Sequence, residues 1–352
     1  MGEIVAAIGT AHAPQLLTRP DSEDPRQLDA MEQAFGVLRG RLAELRPDVV
    51  LILANDHVEN FYLNVVPPFV VFTGTEARGH FASLDFRYRG HPELARALLE
   101  EGLRLGVDLA YSQEAYLGHS FVVPLHYLLP DPAPAVIPFF VNTYLPPQPW
   151  PNRCYQVGQA LGEIIRRRPE RVALVASGGL SHYPGTDLYP HPDNAFDARL
   201  LESIQAGELH RLAAFTPMEL DRHGNLELLQ WLVMLGIMGH EPPCELVTYQ
   251  PSWHHGYAMI WWDMQAPPRP AERHYVYADP ARYPLNTTLF TLMNDRDLRQ
   301  RFLADADAAL AGFDLSEDER LAVKSRDTRR LTALGAHPFL AFMADYNLKY
   351  ET

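Results

Sequence analysis

The first two thirds of the chain alternate short, near-continuous apolar runs with stretches of helical periodicity. The runs "EIVAAIG" (3–9), "DVVLILAN" (48–55), "AVIPFFVN" (135–142) and "RVALVASGG" (171–179) read as strands buried on both faces. Between them, "PRQLDAMEQAFGVLRGRLAEL" (25–45), "PELARALLEEGLRLG" (92–106) and "RCYQVGQALGEIIRRR" (153–168) repeat apolar positions every three or four residues and predict amphipathic helices. The alternation specifies an α/β class, with a central, mostly parallel sheet flanked by helices. After "YAMIWWDMQ" the pattern changes. "APPRPAERHY" (266–275) is Pro-rich and polar, which predicts a linker over 266–278. Three helical stretches follow: 287–313, 315–327 and 328–350. Ser316 and Glu319 form a capping-box pattern on the second. The expected organisation is a main domain over 1–265 and a small all-helical domain over 279–352. The latter is too short for a large core of its own and is expected to pack on the first.

Composition narrows the function classes. With 47% hydrophobic and 21% charged residues in 352, the chain can bury a large core. A formal net charge of −14, with no basic run, argues against a nucleic-acid partner. Cys154 and Cys244 are the two cysteines, too few for a disulfide framework or a cysteine zinc site. No basic segment precedes a long apolar stretch and no 18-residue apolar window occurs, so a cytoplasmic protein without a membrane partner is expected. G-x-G-x-x-G, G-x-x-x-x-G-K-[ST], H-E-x-x-H and G-x-S-x-G are all missing, which removes the usual support for nucleotide or serine-hydrolase chemistry.

Histidine is abundant, at 15 residues. In open α/β sheets ligands collect beyond the carboxyl ends of the strands, and His12, His57 and His182 lie just past three such ends. A single histidine there is ordinarily hydrogen-bonded structure; two on different strands of one sheet raise the prospect of a metal. Glu227, in "DRHGNLELLQWLVMLG", supplies a third donor. Gly224 and Asn225 read as a helix entry, and Glu227 falls in the first turn of a helix apolar almost all round. A carboxylate buried there wants a cation. Two imidazoles and one carboxylate suit non-haem Fe(II) oxygen chemistry and, by ligand type, a catalytic zinc. The spacing leaves both open. "ASGGLSHYPG" adds a Gly-Gly turn ahead of Ser181 and His182, where the backbone can approach a ligand closely. His119 follows a glycine in "YLGHSFVVPLHYL". His126 reads as a core histidine, and His254 and His255 as pocket edge or surface.

Taken in order, "GTAHAP", "NDH", "LGHSFVVPL", "IPFFVN" with "PPQPWPNRCYQVG", "ASGGLSH" and "GNLELLQW" resemble the class III extradiol ring-cleavage dioxygenases of the protocatechuate 4,5-dioxygenase and gallate dioxygenase type. The resemblance covers about 3–263. Residues 279–346 resemble the small helical subunit of that enzyme, here fused at the C-terminus, where in relatives it covers the active site. The resemblance implies Fe(II) held by His12, His57 and Glu227, with His182 as catalytic acid–base. His119 would be a further active-site histidine, although "LGHS" stands where Asp-His-Gly is expected. Asn55 and Ser181 would flank ligand and base, and Thr10, Gln15 and Tyr183 join them as candidate substrate-binding residues. The implied reaction inserts both atoms of O2 into a vicinal-diol aromatic ring and opens it. The substrate would be a catecholic acid such as protocatechuate or gallate, or a dihydroxypyridine, hydroxypyridone or aminophenol. Relatives also imply a homodimer. Two readings compete: a zinc-dependent hydrolase using the same two histidines and glutamate, and a metal-free binding protein of the same fold.

Overall fold

The four apolar runs become the four central strands of one sheet. A computed structural model describes residues 2–267, 275 and 277–350, so most of the expected linker lies outside the described residues. The strands are β1 (Glu3–Thr10), β2 (Val49–Ala54), β3 (Phe69–Phe72), β4 (Glu76–Phe81), β5 (Leu84–Arg89), β6 (Ala110–Ser112), β7 (Ala135–Val141), β8 (Arg171–Ser177), β9 (Cys244–Pro251) and β10 (Gly256–Trp262). Eight form a sheet in the order β6-β3-β7-β2-β8-β1-β10-β9. Pairings β7/β2, β2/β8 and β8/β1 are parallel. The edges turn antiparallel, with β3 on β7, β10 on β1 and β9 on β10. The fold is therefore α/β with a mostly parallel sheet.

Side chains alternate across that sheet with the period of two that a strand imposes. Val49, Leu51 and Leu53 of β2 enter one core, with Val172 and Leu174 of β8. Val50, Ile52 and Ala54 enter the other, with Ala173 and Val175. Both faces are thus dry, and truncating one of these residues, as in Leu51→Ala, would cost about 2–5 kcal/mol. Helices Pro92–Arg104, Pro151–Arg166 and Leu228–Met238 cover the first face, while Pro25–Leu45 and His119–Leu128 cover the second. Pro138 sits inside β7 opposite Ile52. The β3 pairing stops at Phe139, so the missing proline N–H falls where no β3 carbonyl awaits it.

Two features escaped the sequence pattern. A separate hairpin pairs β4 with β5. Its turn places Ala82 and Ser83 at φ 49° and 63°, consecutive left-handed positions without the usual Gly or Asn. Beyond the main unit, six α-helices among the described residues replace three expected stretches: Asp295 and Asp305 each cap a new helix inside the first, and the third breaks around Gly335, at φ 95°, ahead of Pro338. The Ser316–Glu319 capping box is present. Compact units span Met1–Arg269 and Pro270–Thr352; the second has its own small core, including Leu289, Leu298, Phe302 and Leu331. No helix among the described residues is long and apolar enough to cross a membrane.

Candidate active site

The parallel strands β1, β2 and β8 run side by side and end at one edge of the sheet, which fixes where their trailing loops meet. His12 follows β1 by two residues, His57 follows β2 by three, and His182 follows β8 by five. Glu227 enters from the opposite direction, at the N-cap position of the helix Leu228–Met238, one residue before the first turn expected for it. Its side chain is fully buried. Glu227 Oε1 stands 3.2 Å from His12 Nε2 and 3.8 Å from both His57 Nε2 and His182 Nε2. The other carboxylate oxygen accepts the Gly179 N–H at 2.6 Å. The glycine pair is needed here: a Cβ on Gly179 would fall 1.6 Å from His255 Nε2, and one on Gly178 would fall 2.8 Å from the Glu227 carbonyl.

Hydrogen bonds set the tautomers. Ser177 Oγ donates its one proton to the Ser120 carbonyl, so it accepts from His12 Nδ1, 3.0 Å away. His12 Nε2 then faces Glu227 Oε1, 3.2 Å away. His182 Nδ1 donates to the Leu180 carbonyl at 2.8 Å, which leaves its Nε2 free to accept. His57 Nε2 lies 3.1 Å from Asn55 Nδ2, and Asn55 Oδ1 accepts from Gln230. The Nδ1 of His57 is buried without a partner among the described residues.

Ring orientation separates donors from neighbours. Two trios, His12/His57/His119 and His182/Glu227/His255, each gather their donor atoms within 4.8 Å. Yet His57 and His119 stack face to face, 4.1 Å apart at 26°, and His182 and His255 stack at 3.9 Å and 16°. Stacked rings carry their lone pairs side by side, so neither pair converges on one ion. His12 stands steeply to both His57, at 82°, and His119, at 71°, so it is the approach of His57 Nε2 to Glu227 Oε1, 3.8 Å, that favours His57 over His119. Donors about 2.1 Å from one cation and at right angles stand roughly 3 Å apart. His12, His57 and Glu227 could together hold a cation, while His119 and His255 stack on His57 and His182.

Charge agrees with that set. Burial pushes His57 down to about 3 and His119 down to about 2, with neighbouring imidazoles adding to the effect. Burial likewise lowers His182. Burial alone would raise Glu227, but His12 and His182 outweigh it and hold the carboxyl well below its usual range. An ionised Glu227 beside a His57 that burial keeps deprotonated supplies the protonation states a divalent cation requires of such donors. A pH dependence follows. The folded protein keeps His57 and His119 neutral, while the unfolded chain takes up their protons near the ordinary 6.5. Their contribution is full above pH 6.5 and lost as the pH falls toward 3, at up to about 2.7 kcal/mol per pH unit for the two. The thermal midpoint of metal-free protein, followed from pH 7.5 to 5, should fall steeply. A flat profile would contradict two neutral, half-buried rings.

The remaining sequence candidates divide. Asn55 and Ser181 are fully buried. The Ser181 N–H donates to the buried Asp197 carboxylate at 3.1 Å, which also accepts from Asn225 Nδ2 at 3.1 Å and Tyr249 at 3.0 Å. Asp197 thereby ties the His182 loop to the Glu227 helix entry, and burial pushes its carboxyl up to about 6. Thr10, Gln15 and Tyr183 do not join the central donors. The Thr10 hydroxyl donates to the Ala11 carbonyl, Gln15 accepts from Tyr257, and the Tyr183 hydroxyl donates to the Arg222 carbonyl. His126 is exposed in the last turn of its helix, not in the core, because the apolar face turns its register away. His254 and His255, expected at an edge or surface, are 2% and 8% exposed. Tyr144 passed unnoticed in "VNTYLPPQPWP". Its hydroxyl lies 2.6 Å from His182 Nε2 and 2.8 Å from Glu227 Oε1. The signal was available, since Tyr144 lies three residues past β7, as His57 lies past β2.

Comparison with known proteins agrees with this geometry. The family model described as "Catalytic LigB subunit of aromatic ring-opening dioxygenase" matches residues 6–260. That of the "Aromatic-ring-opening dioxygenase LigAB, LigA subunit" matches 285–346. Among curated proteins, a 2,3-dihydroxyphenylpropionate/2,3-dihydroxicinnamic acid 1,2-dioxygenase of Klebsiella pneumoniae subsp. pneumoniae is 36% identical over 189 residues, 52% of this chain and 58% of that protein. A second such enzyme, from Pseudomonas putida, is 37% identical over 186 residues, 51% of this chain and 57% of that protein. The matches thus span little more than half the length of these relatives. A crystal structure of an uncharacterized Escherichia coli K12 protein shares the fold, with a TM-score of 0.51 at 16% identity, covering 73% of this chain and 99% of that one.

Proposed function

The chain belongs to the family of the catalytic LigB subunit of aromatic ring-opening dioxygenases, and from that premise we propose that it is an Fe(II)-dependent extradiol dioxygenase opening a vicinal-diol aromatic ring. One observation carries the reading: His12 Nε2 and His57 Nε2 flank a single oxygen of Glu227, with His182 Nε2 3.8 Å from the same oxygen. Two imidazoles and one carboxylate, with positions left open, are the donor set of non-haem Fe(II) oxygen chemistry. Bound there, Fe(II) would lower the pKa of diol hydroxyls coordinated to it and supply the redox centre for O2.

The chain's own groups do the rest. His182, neutral and with Nδ1 committed to the Leu180 carbonyl, offers Nε2 to take a proton from a substrate hydroxyl and return it later. His119 and His255 hold the planes of His57 and His182 by stacking. Burial of these side chains keeps water from competing with the bound ring. Catalytic work is assigned to residues 1–265, with 279–352 as the fused small helical domain, in a cytoplasmic homodimer.

Substrates are vicinal diols: a catecholic acid such as protocatechuate or gallate, or a dihydroxypyridine or hydroxypyridone. The relatives' names add 2,3-dihydroxyphenylpropionate to the panel. Protein reconstituted anaerobically with Fe(II) should bind one iron per chain and consume one O2 per diol opened, measured with an oxygen electrode. Protein that retains zinc and hydrolyses an ester or amide, with no diol-dependent oxygen uptake, would establish the competing hydrolase instead.

A further inference from the structure

Tyr144 is placed with care by a segment that contributes nothing else to the centre. Asn142 donates through Nδ2 to the Leu145 carbonyl at 2.6 Å and accepts the Leu145 N–H at 3.2 Å. Its own N–H is tied to the Pro68 carbonyl. The loop between β7 and the helix Pro151–Arg166 is thereby pinned on both sides of Tyr144. The aromatic ring stands edge-on to His182, at 85° and 6.2 Å, and 5.6 Å from His57. Its hydroxyl has one hydrogen and faces two acceptors, His182 Nε2 and Glu227 Oε1. It can donate to only one of them at a time.

We propose that Tyr144 is a positioning residue that couples the acid–base histidine to the metal-ligand carboxylate. This inference rests on the reading of His12, His57 and Glu227 as a metal site. A cation at Glu227 Oε1 withdraws charge from that oxygen and weakens it as an acceptor, and so directs the Tyr144 hydrogen to His182 Nε2. Loading of the metal site thus orients the nitrogen that handles the substrate proton. The two partners respond in opposite ways when the hydroxyl is removed. Glu227 loses a competing donor and remains at least as good a ligand, while His182 loses the contact that holds Nε2 in place.

Tyr144→Phe in the full chain separates this role from simple packing. Metal-free protein titrated with Co(II) should bind it as tightly as wild type or more so, read from the visible absorption of the Co(II) form. The Fe(II)-loaded variant should lose roughly 10- to 100-fold in kcat, the range expected for a hydrogen bond to a charged or ionising group, with KM little changed. Wild-type kcat would overturn the proposal. So would parallel loss of Co(II) binding and turnover, the result of a merely structural role. Co(II) binding needs no substrate, so an unsuccessful substrate search leaves this arm intact. A wild type that takes up no Co(II) would overturn the metal-site reading and this inference with it.

Discussion

Glu227→Gln should abolish metal binding while leaving the fold in place. The amide matches the carboxylate in volume and can still accept the Gly179 N–H, so packing in this fully buried position is preserved. What disappears is the charge. Three neutral donors do not offset the dehydration of a divalent cation as two imidazoles and a carboxylate do. Loss of a group that only supports a ligand already costs 10–100-fold in metal affinity, so loss of the ligand itself should exceed about 100-fold. Metal content after dialysis should be close to zero, turnover should fall below detection, and the circular dichroism spectrum should match wild type. A Glu227→Gln protein that retains stoichiometric iron would remove Glu227 from the ligand set.

His182→Ala should have the second largest effect and the opposite metal phenotype. His182 is linked to the ligand set only through Tyr144 and a 3.8 Å approach to Glu227, so iron content should stay at wild-type level. Removal of a positioned general acid–base group costs about 10²–10⁴ in rate. Burial lowers the ring below the ordinary imidazole range. A depressed pKa keeps the base active down to lower pH, so the acid limb of the wild-type kcat profile should lie below pH 6.5. That limb should vanish in the variant. An iron-free His182→Ala protein, or one with near-wild-type turnover, would contradict the assignment.

Particular residues show how far the chain could be read unaided. The strands containing His12, His57 and His182 announced themselves because a strand dry on both faces must be apolar at nearly every position. Parallel neighbours then force their carboxyl ends to one side. Glu227 was legible for a related reason: an acid opening an otherwise apolar helix is buried, and a buried carboxylate wants a cation. His255 was not legible, because "SWHHGY" fits a surface turn as well as a buried one. Its burial depends on the β9–β10 pairing, which brings the turn across the Gly178–Gly179 loop. The hairpin β4/β5 hid because its turn lacks Gly and Asn, yet it brings Phe81 within 5.5 Å of His119.

Local pattern, then, decided the sheet, its helices and the three strand ends that carry imidazoles, since burial and period act on neighbouring residues. The choice among the gathered histidines was tertiary. His119 and His12 have the same chemistry; what separates them is the 3.2 Å approach of His12 to Glu227 and the stacking of His119 on His57. The same holds for Tyr144, whose role depends on two atoms 38 and 83 residues away in the chain. Angles and distances between remote segments are products of packing, and no periodicity along the chain encodes them.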